Sequence, residues 1–160
     1  MLCGSFVAFA ANTTVHKLGY SAVDSGEIPY GSSTQYTEAR DFGIDLWNDF
    51  SSKVIIVPDT IWSIEDLTFK DANKPSETWT GLYKNQAGAD SITFNSYFFD
   101  KAERQPNWNN KTDAHEIGHS LGIGDHYEDY NGYSNLIMNG YASSVNTLGQ
   151  HDKDDYNNIN

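Results

Sequence analysis

Three side chains in one short stretch could carry out chemistry together: His115, Glu116 and His119. On a helix, imidazoles four residues apart project from one face, separated by about 6 Å of rise. That spacing lets two ring nitrogens meet a single zinc ion at about 2.0–2.1 Å. Glu116 falls on a neighbouring face, where it need not touch the metal and can hold and deprotonate a zinc-bound water. Gly122 stands three residues after His119, where the chain must turn sharply to bring back a third ligand. Asp125 follows three residues later, a candidate for that place.

The elements that must position these groups are legible in outline. Residues 111–121 are expected as a helix capped by Asn110, ended by Gly122 and Gly124, because glycine takes the left-handed conformation at a helix C-terminus without steric cost. Tyr36, Ala39, Gly43, Leu46, Trp47 and Phe50 recur at helical spacing with acidic residues between them, so a second long helix is expected there. Ser32 or Ser33 would cap it and Ser51-Ser52 would end it. Strands are expected over 16–20, 54–57, 66–70, 78–84 and 91–95, with a Gly/Ser/Pro-rich link over 21–33 and an Asn-rich link over 107–110. A short last helix is expected over 152–159. This order of elements predicts an α+β domain.

The chain has 160 residues, which suits one domain. Its 22 acidic and 10 basic residues leave a net charge of −12, a surface that repels phosphate backbones and anionic membranes, so no nucleic-acid partner is expected. Nor does any apolar run reach the roughly 20 residues of a membrane span. The single cysteine, Cys3, excludes an internal disulfide or a Cys-rich zinc site. Residues 1–10 end in Ala8-Phe9-Ala10 and read as the remnant of a secretory signal, the alternative being a buried N-terminal strand. With a signal, the mature chain would start near Ala11 as a secreted, extracellular bacterial protein. No phosphate-binding loop or G-x-S-x-G elbow is present. Asp24, Asp90, Asp100, Glu128, Asp129, Asp152, Asp154 and Asp155 raise Ca2+ as a second metal, although none forms an EF-hand loop. His16 and His151, isolated in sequence, are expected at the solvent-exposed surface.

The run H-E-x-x-H-x-x-G-x-x-D over 115–125 resembles the zinc-binding motif of the metzincin metalloproteases, in the form with an aspartate third ligand. Gly122 to Tyr127 is similar to the matching stretch of the snapalysin group. Asn135 to Asn139 resembles the Met-turn, with Met138 as its methionine. Ile92, Thr93, Phe94 and Asn95, with Trp108, resemble the edge strand and pre-helix segment of bacterial matrixin-like proteases. The resemblance implies a zincin-like fold: a twisted, mostly parallel sheet, two long helices, and a small irregular C-terminal subdomain. Residues 11–160 would then form one catalytic domain, divided near residue 122 into an N-terminal part and a part over 123–160.

The implied activity is a zinc endopeptidase with Glu116 as general base and His115, His119 and Asp125 as ligands. Its implied partner is a protein or peptide substrate lying along Ile92, Thr93 and Phe94, on a monomeric enzyme. His126 is the alternative third ligand, shifted by one residue, or a histidine beside the site. A tyrosine that supports the zinc in some metzincins would stand at Gly140 here, so Tyr141 and Tyr133 are the candidates for that role. Two other readings stay open: a non-catalytic acidic module that binds zinc or calcium, and another zinc amide hydrolase such as a cell-wall amidase.

Overall fold

The computed structural model describes residues 14–61, 64–101, 106–127 and 135–160. The expected signal at residues 1–10, together with Tyr133, Glu128 and Asp129, lies outside them.

The architecture is α+β, built on a five-stranded sheet. In chain order the strands are β1 (Glu27–Ser32), β2 (Ile55–Pro58), β3 (Leu67–Ala72), β4 (Gly81–Lys84) and β5 (Asp90–Asn95). They are arranged β2-β1-β3-β5-β4, all neighbours parallel except β4 against β5. The helices are α1 (Thr37–Phe50), the single turn α2 (Ser96–Phe99), α3 (Pro106–Ser120) and α4 (Gln150–Ile159).

Strand β1 forms inside the segment read as a link. Pro29 and Gly31 argue against a strand locally, yet β1 is paired on both sides, with Pro29 opposite Val57 and Gly31 opposite Thr68. The Glu65 carboxylate lies over Gly31, 1.9 Å from where a Cβ would stand, so a side chain there would displace it. Ile28 and Ile56 are buried, and Leu67 and Phe69 alternate inward along β3, as one buried sheet face requires. The strand expected over 16–20 is reduced to one bridge, Lys17 to Ile123.

Helix α3 starts at Pro106, not at Lys111, so Asn110 is an interior residue and not a cap. Proline suits a first helical turn because its missing N–H has no helical partner there. Nor does Ser32 or Ser33 cap α1, whose N-cap is Tyr36. The carboxylate of Asp71 and the hydroxyl of Thr34 instead accept the N–H groups of Gln35 and Tyr36.

The α1–α3 contact fixes the site-bearing helix. Trp47 of α1 is buried and donates its indole N–H to the Ala114 carbonyl at 2.8 Å. At Gly43 a Cβ would fall 2.0 Å from an Asp113 oxygen and 3.0 Å from the Ala114 nitrogen, so the close approach of the two helices depends on that glycine. Tyr156 of α4 stacks on Trp47 and meets Phe50 edge-on, closing the far end of the core.

Candidate metal centre

The last turn of α3 sets the geometry. Gly122 (φ +90°) ends the helix, the Ile123 N–H returns to the Gly118 carbonyl, and the Gly122 N–H returns to that of His119. This paired closure needs a left-handed residue, which glycine adopts without steric cost. It reverses the chain so that the Ile123 carbonyl meets His119 Nδ1 at 2.8 Å, and Asp125 comes to face the helix.

A second segment steadies the other imidazole. His115 Nδ1 lies 2.9 Å from the Ile137 carbonyl, in the turn that also carries Met138. Met138 is fully buried beneath α3, and a Cβ at Gly118 would stand 2.2 Å from its sulfur. The turn is held from below by Asp152, buried in α4, which accepts the N–H groups of Ile137 (2.9 Å) and Met138 (3.0 Å).

Both imidazoles therefore donate Nδ1–H to backbone carbonyls, and in the neutral ring Nε2 is then a bare lone pair. His115 Nε2 lies 3.1 Å and His119 Nε2 3.7 Å from Asp125 Oδ1, which is buried and has no hydrogen-bond partner. With both rings neutral, three lone pairs converge on one point. Zinc ligands at about 2.0–2.2 Å in a tetrahedron stand roughly 3.3–3.5 Å apart, so the donor set fits such an ion. Burial and the neighbouring His115 depress the basicity of His119, which favours the neutral, ligating form. Burial pushes the Asp125 carboxyl up, but the imidazoles of His115 and His119 beside it and the Tyr127 hydroxyl hold it down to about 2. A proton and a metal ion compete for the same three atoms.

No known family model and no curated protein sequence matches this chain. What the site can do must be read from its own residues.

Glu116 is buried and lines the same open cleft, of about 460 Å³, as His115, His119 and Asp125. Its Oε2 accepts the backbone N–H of Tyr83 in β4 at 2.7 Å. Gly81 makes room for it, since a Cβ there would approach Glu116 and Thr112 within 2.8 Å.

Tyr127, not singled out in the sequence, donates its hydroxyl to Asp125 Oδ2 at 2.9 Å and packs where a Gly140 side chain would stand. Burial and that bond raise its pKa to about 12, so it remains a donor. Its signal was the aromatic two residues beyond the third-ligand position. Tyr141 is half exposed at the cleft rim.

The structure corrects two expectations at this site. Ile92, Thr93 and Phe94 do not offer a free sheet edge, because β5 is paired with β3 on one side and β4 on the other, and Ile92 and Phe94 are buried in the core. The edge beside the cleft belongs to β4, preceded by Thr78, Trp79 and Thr80. His126 does not join His115 and His119. It is fully buried and turns to Asp155, 2.9 Å away.

Among the described residues, the acids named for calcium do not meet in a cluster of three carboxylates. Asp90 accepts Tyr83, Asn85 and Gln86, Asp100 accepts Tyr36, and Asp152 holds the Met138 turn. Among the described residues the two clusters of potential ligands contain one carboxylate each. No helix there is long and apolar enough to cross a membrane.

Proposed function

We propose that this chain is a zinc-dependent endopeptidase of the metzincin type, secreted by a bacterium, with a zincin-like architecture divided near Gly122. The observation that carries this reading is the convergence of three potential ligand atoms, His115 Nε2, His119 Nε2 and Asp125 Oδ1, beside a carboxylate that faces the same cleft. Zinc, when bound there, supplies Lewis acidity toward an amide carbonyl and a water molecule.

The protein supplies the rest. Glu116, with Oε2 anchored on the Tyr83 N–H, takes up the proton of the attacking water and returns it to the leaving amine. Tyr141 at the rim is the candidate hydroxyl for stabilising the developing oxyanion. An extended substrate adds its backbone to the outer edge of β4, because that strand, and not β5, borders the cleft.

The test is hydrolysis of casein and of defined peptides, with zinc content, for the wild type and Glu116→Gln. Retention of zinc with a loss of roughly 10²–10⁴ in rate is the expected result for removal of a general base. A zinc-loaded wild type that cleaves no peptide refutes the assignment, and cleavage of peptidoglycan fragments alone would reassign it as an amidase.

A further inference from the structure

A second constellation lies on the opposite side of the Asp125 turn. His16, from the N-terminal segment, His126, from the turn itself, and His151 and Asp155, one helical turn apart on α4, meet in the interior. Each offers one ligand atom, and those atoms all lie within 4.8 Å of one another. His126 and Asp155 are buried, while the side chains of His16 and His151 are only 10% and 11% exposed. Both were expected at the solvent-exposed surface. A carboxylate 139 positions from His16 draws them in.

The separations have the dimensions of a coordination shell. His16 Nδ1 is 3.1 Å from His151 Nε2 and 3.2 Å from Asp155 Oδ2. His126 Nε2 is 2.9 Å from Asp155 Oδ2, and His151 Nε2 is 3.6 Å from Asp155 Oδ1. These bracket the roughly 3.3–3.5 Å edge of a tetrahedron of nitrogen and oxygen ligands around zinc. The three rings touch, with centroids 4.3, 4.6 and 5.1 Å apart, so charging all of them by protonation would place like charges in contact.

A hydrogen-bonded network accounts for this arrangement less well. Asp155 Oδ2 faces the His16 backbone N–H at 3.2 Å, His16 Nδ1 and His126 Nε2. That is three nitrogens around an oxygen with two lone pairs, while Oδ1 lies beyond hydrogen-bond length from His151. A cation among the ring nitrogens removes the crowding, because the imidazoles then present lone pairs in place of protons. His151 Nε2 also faces the Thr14 carbonyl at 3.2 Å, the acceptor it would use with no cation present.

We infer that His16, His126, His151 and Asp155 form a second, structural metal site for zinc, with a closed shell of three imidazoles and one carboxylate. Closed four-ligand shells are the structural kind, and zinc is among the first-row ions that imidazole and carboxylate donors in a tetrahedron suit. The site would pin the N-terminal segment and α4 to the residue adjoining Asp125, and so brace the third ligand of the cleft. The inference rests on this donor set and not on the reading of the cleft.

The test is elemental analysis of zinc per chain after dialysis into metal-free buffer. The wild type is compared with His16→Ala/His151→Ala and, separately, with His115→Ala/His119→Ala. The expected result is about one equivalent fewer in the first variant, whatever the second variant loses. A folded first variant, by near-ultraviolet circular dichroism, that binds as much zinc as the wild type overturns the inference. Should that variant not fold, Co2+ titration of His115→Ala/His119→Ala decides: a tetrahedral visible band saturating at about one equivalent supports the site, and no band overturns it. Failure of the cleft reading would show separately, as no zinc lost on replacing His115 and His119.

Discussion

Asp152 is the residue through which α4 holds the turn under the cleft, and its removal gives a quantitative test of that mechanical role. Its carboxylate is fully buried and accepts three backbone N–H groups, from Ile137 at 2.9 Å, Met138 at 3.0 Å and Gly149 at 2.8 Å. Hydrogen bonds to a charged group contribute about 1.5–3 kcal/mol each, and Asp152→Ala would leave three donors in the interior. The chain can relax around some of them, so the expected cost is about 4 kcal/mol, near the upper end for single substitutions. At roughly 2–4 °C per kcal/mol for a domain of this size, the melting temperature should fall by about 8–16 °C. Asp152→Asn keeps one acceptor oxygen but sets an amide NH2 against a backbone N–H, so an intermediate loss is expected.

The assay is thermal unfolding at fixed zinc concentration. Asp154→Ala, which removes a solvent-facing bond to Gln150 on the same helix, serves as the control and should change stability by less than about 0.5 kcal/mol. Activity should fall with stability in Asp152→Ala, because the Ile137 carbonyl that orients His115 belongs to the released turn. An Asp152→Ala protein within about 1 kcal/mol of the wild type would refute the view that α4 holds this turn.

Tyr127→Phe removes the hydroxyl on Asp125 Oδ2 and should weaken zinc binding by about 10–100-fold, the usual cost of losing a group that orients a ligand, read by chelator competition. Gly43→Ala forces a methyl against Asp113 and the α3 backbone. Overpacking of about 1–3 kcal/mol should outweigh the roughly 1 kcal/mol gained in helix propensity, giving net destabilisation in urea. Asp113 is fully buried, and burial, reinforced by the charge of Glu116, raises its pKa well above 3.8. The folded state therefore keeps a proton that the unfolded chain releases, and stability contributed by this group declines as pH rises from about 4 toward the folded pKa. Asp113→Asn should abolish that decline, so its stability relative to the wild type should grow between pH 4 and pH 7. A constant difference across that range would contradict this.

The centre at 115–125 was legible because its geometry is local: helical spacing aligns the two imidazoles, and one glycine reverses the chain toward Asp125. Helices α1 and α4 and four of the five strands were also legible, since periodicity and β-branched runs act within a few residues. Strand β1 was not, because Pro29 and Gly31 are poor strand formers and only pairing with both β2 and β3 makes them extended. The position of β5 inside the sheet was hidden for the same reason, as alternation in sequence does not say which neighbours a strand acquires. His16, His126, His151 and Asp155 carry no spacing signal across their three segments. Their meeting follows only from the packing of α4 beneath the Asp125 turn.

That packing has a consequence for biosynthesis. The chain is made from its N-terminus, so His16 and the Asp125 turn leave the ribosome well before residues 150–159 complete their surroundings. Until that helix emerges, the turn at Ile137 has no carboxylate to grip and His16 meets the Asp125 turn without His151 or Asp155. A nascent or truncated chain therefore carries the H-E-x-x-H helix without the support that aims it, and competence to hold the proposed metal should arrive late, as α4 docks.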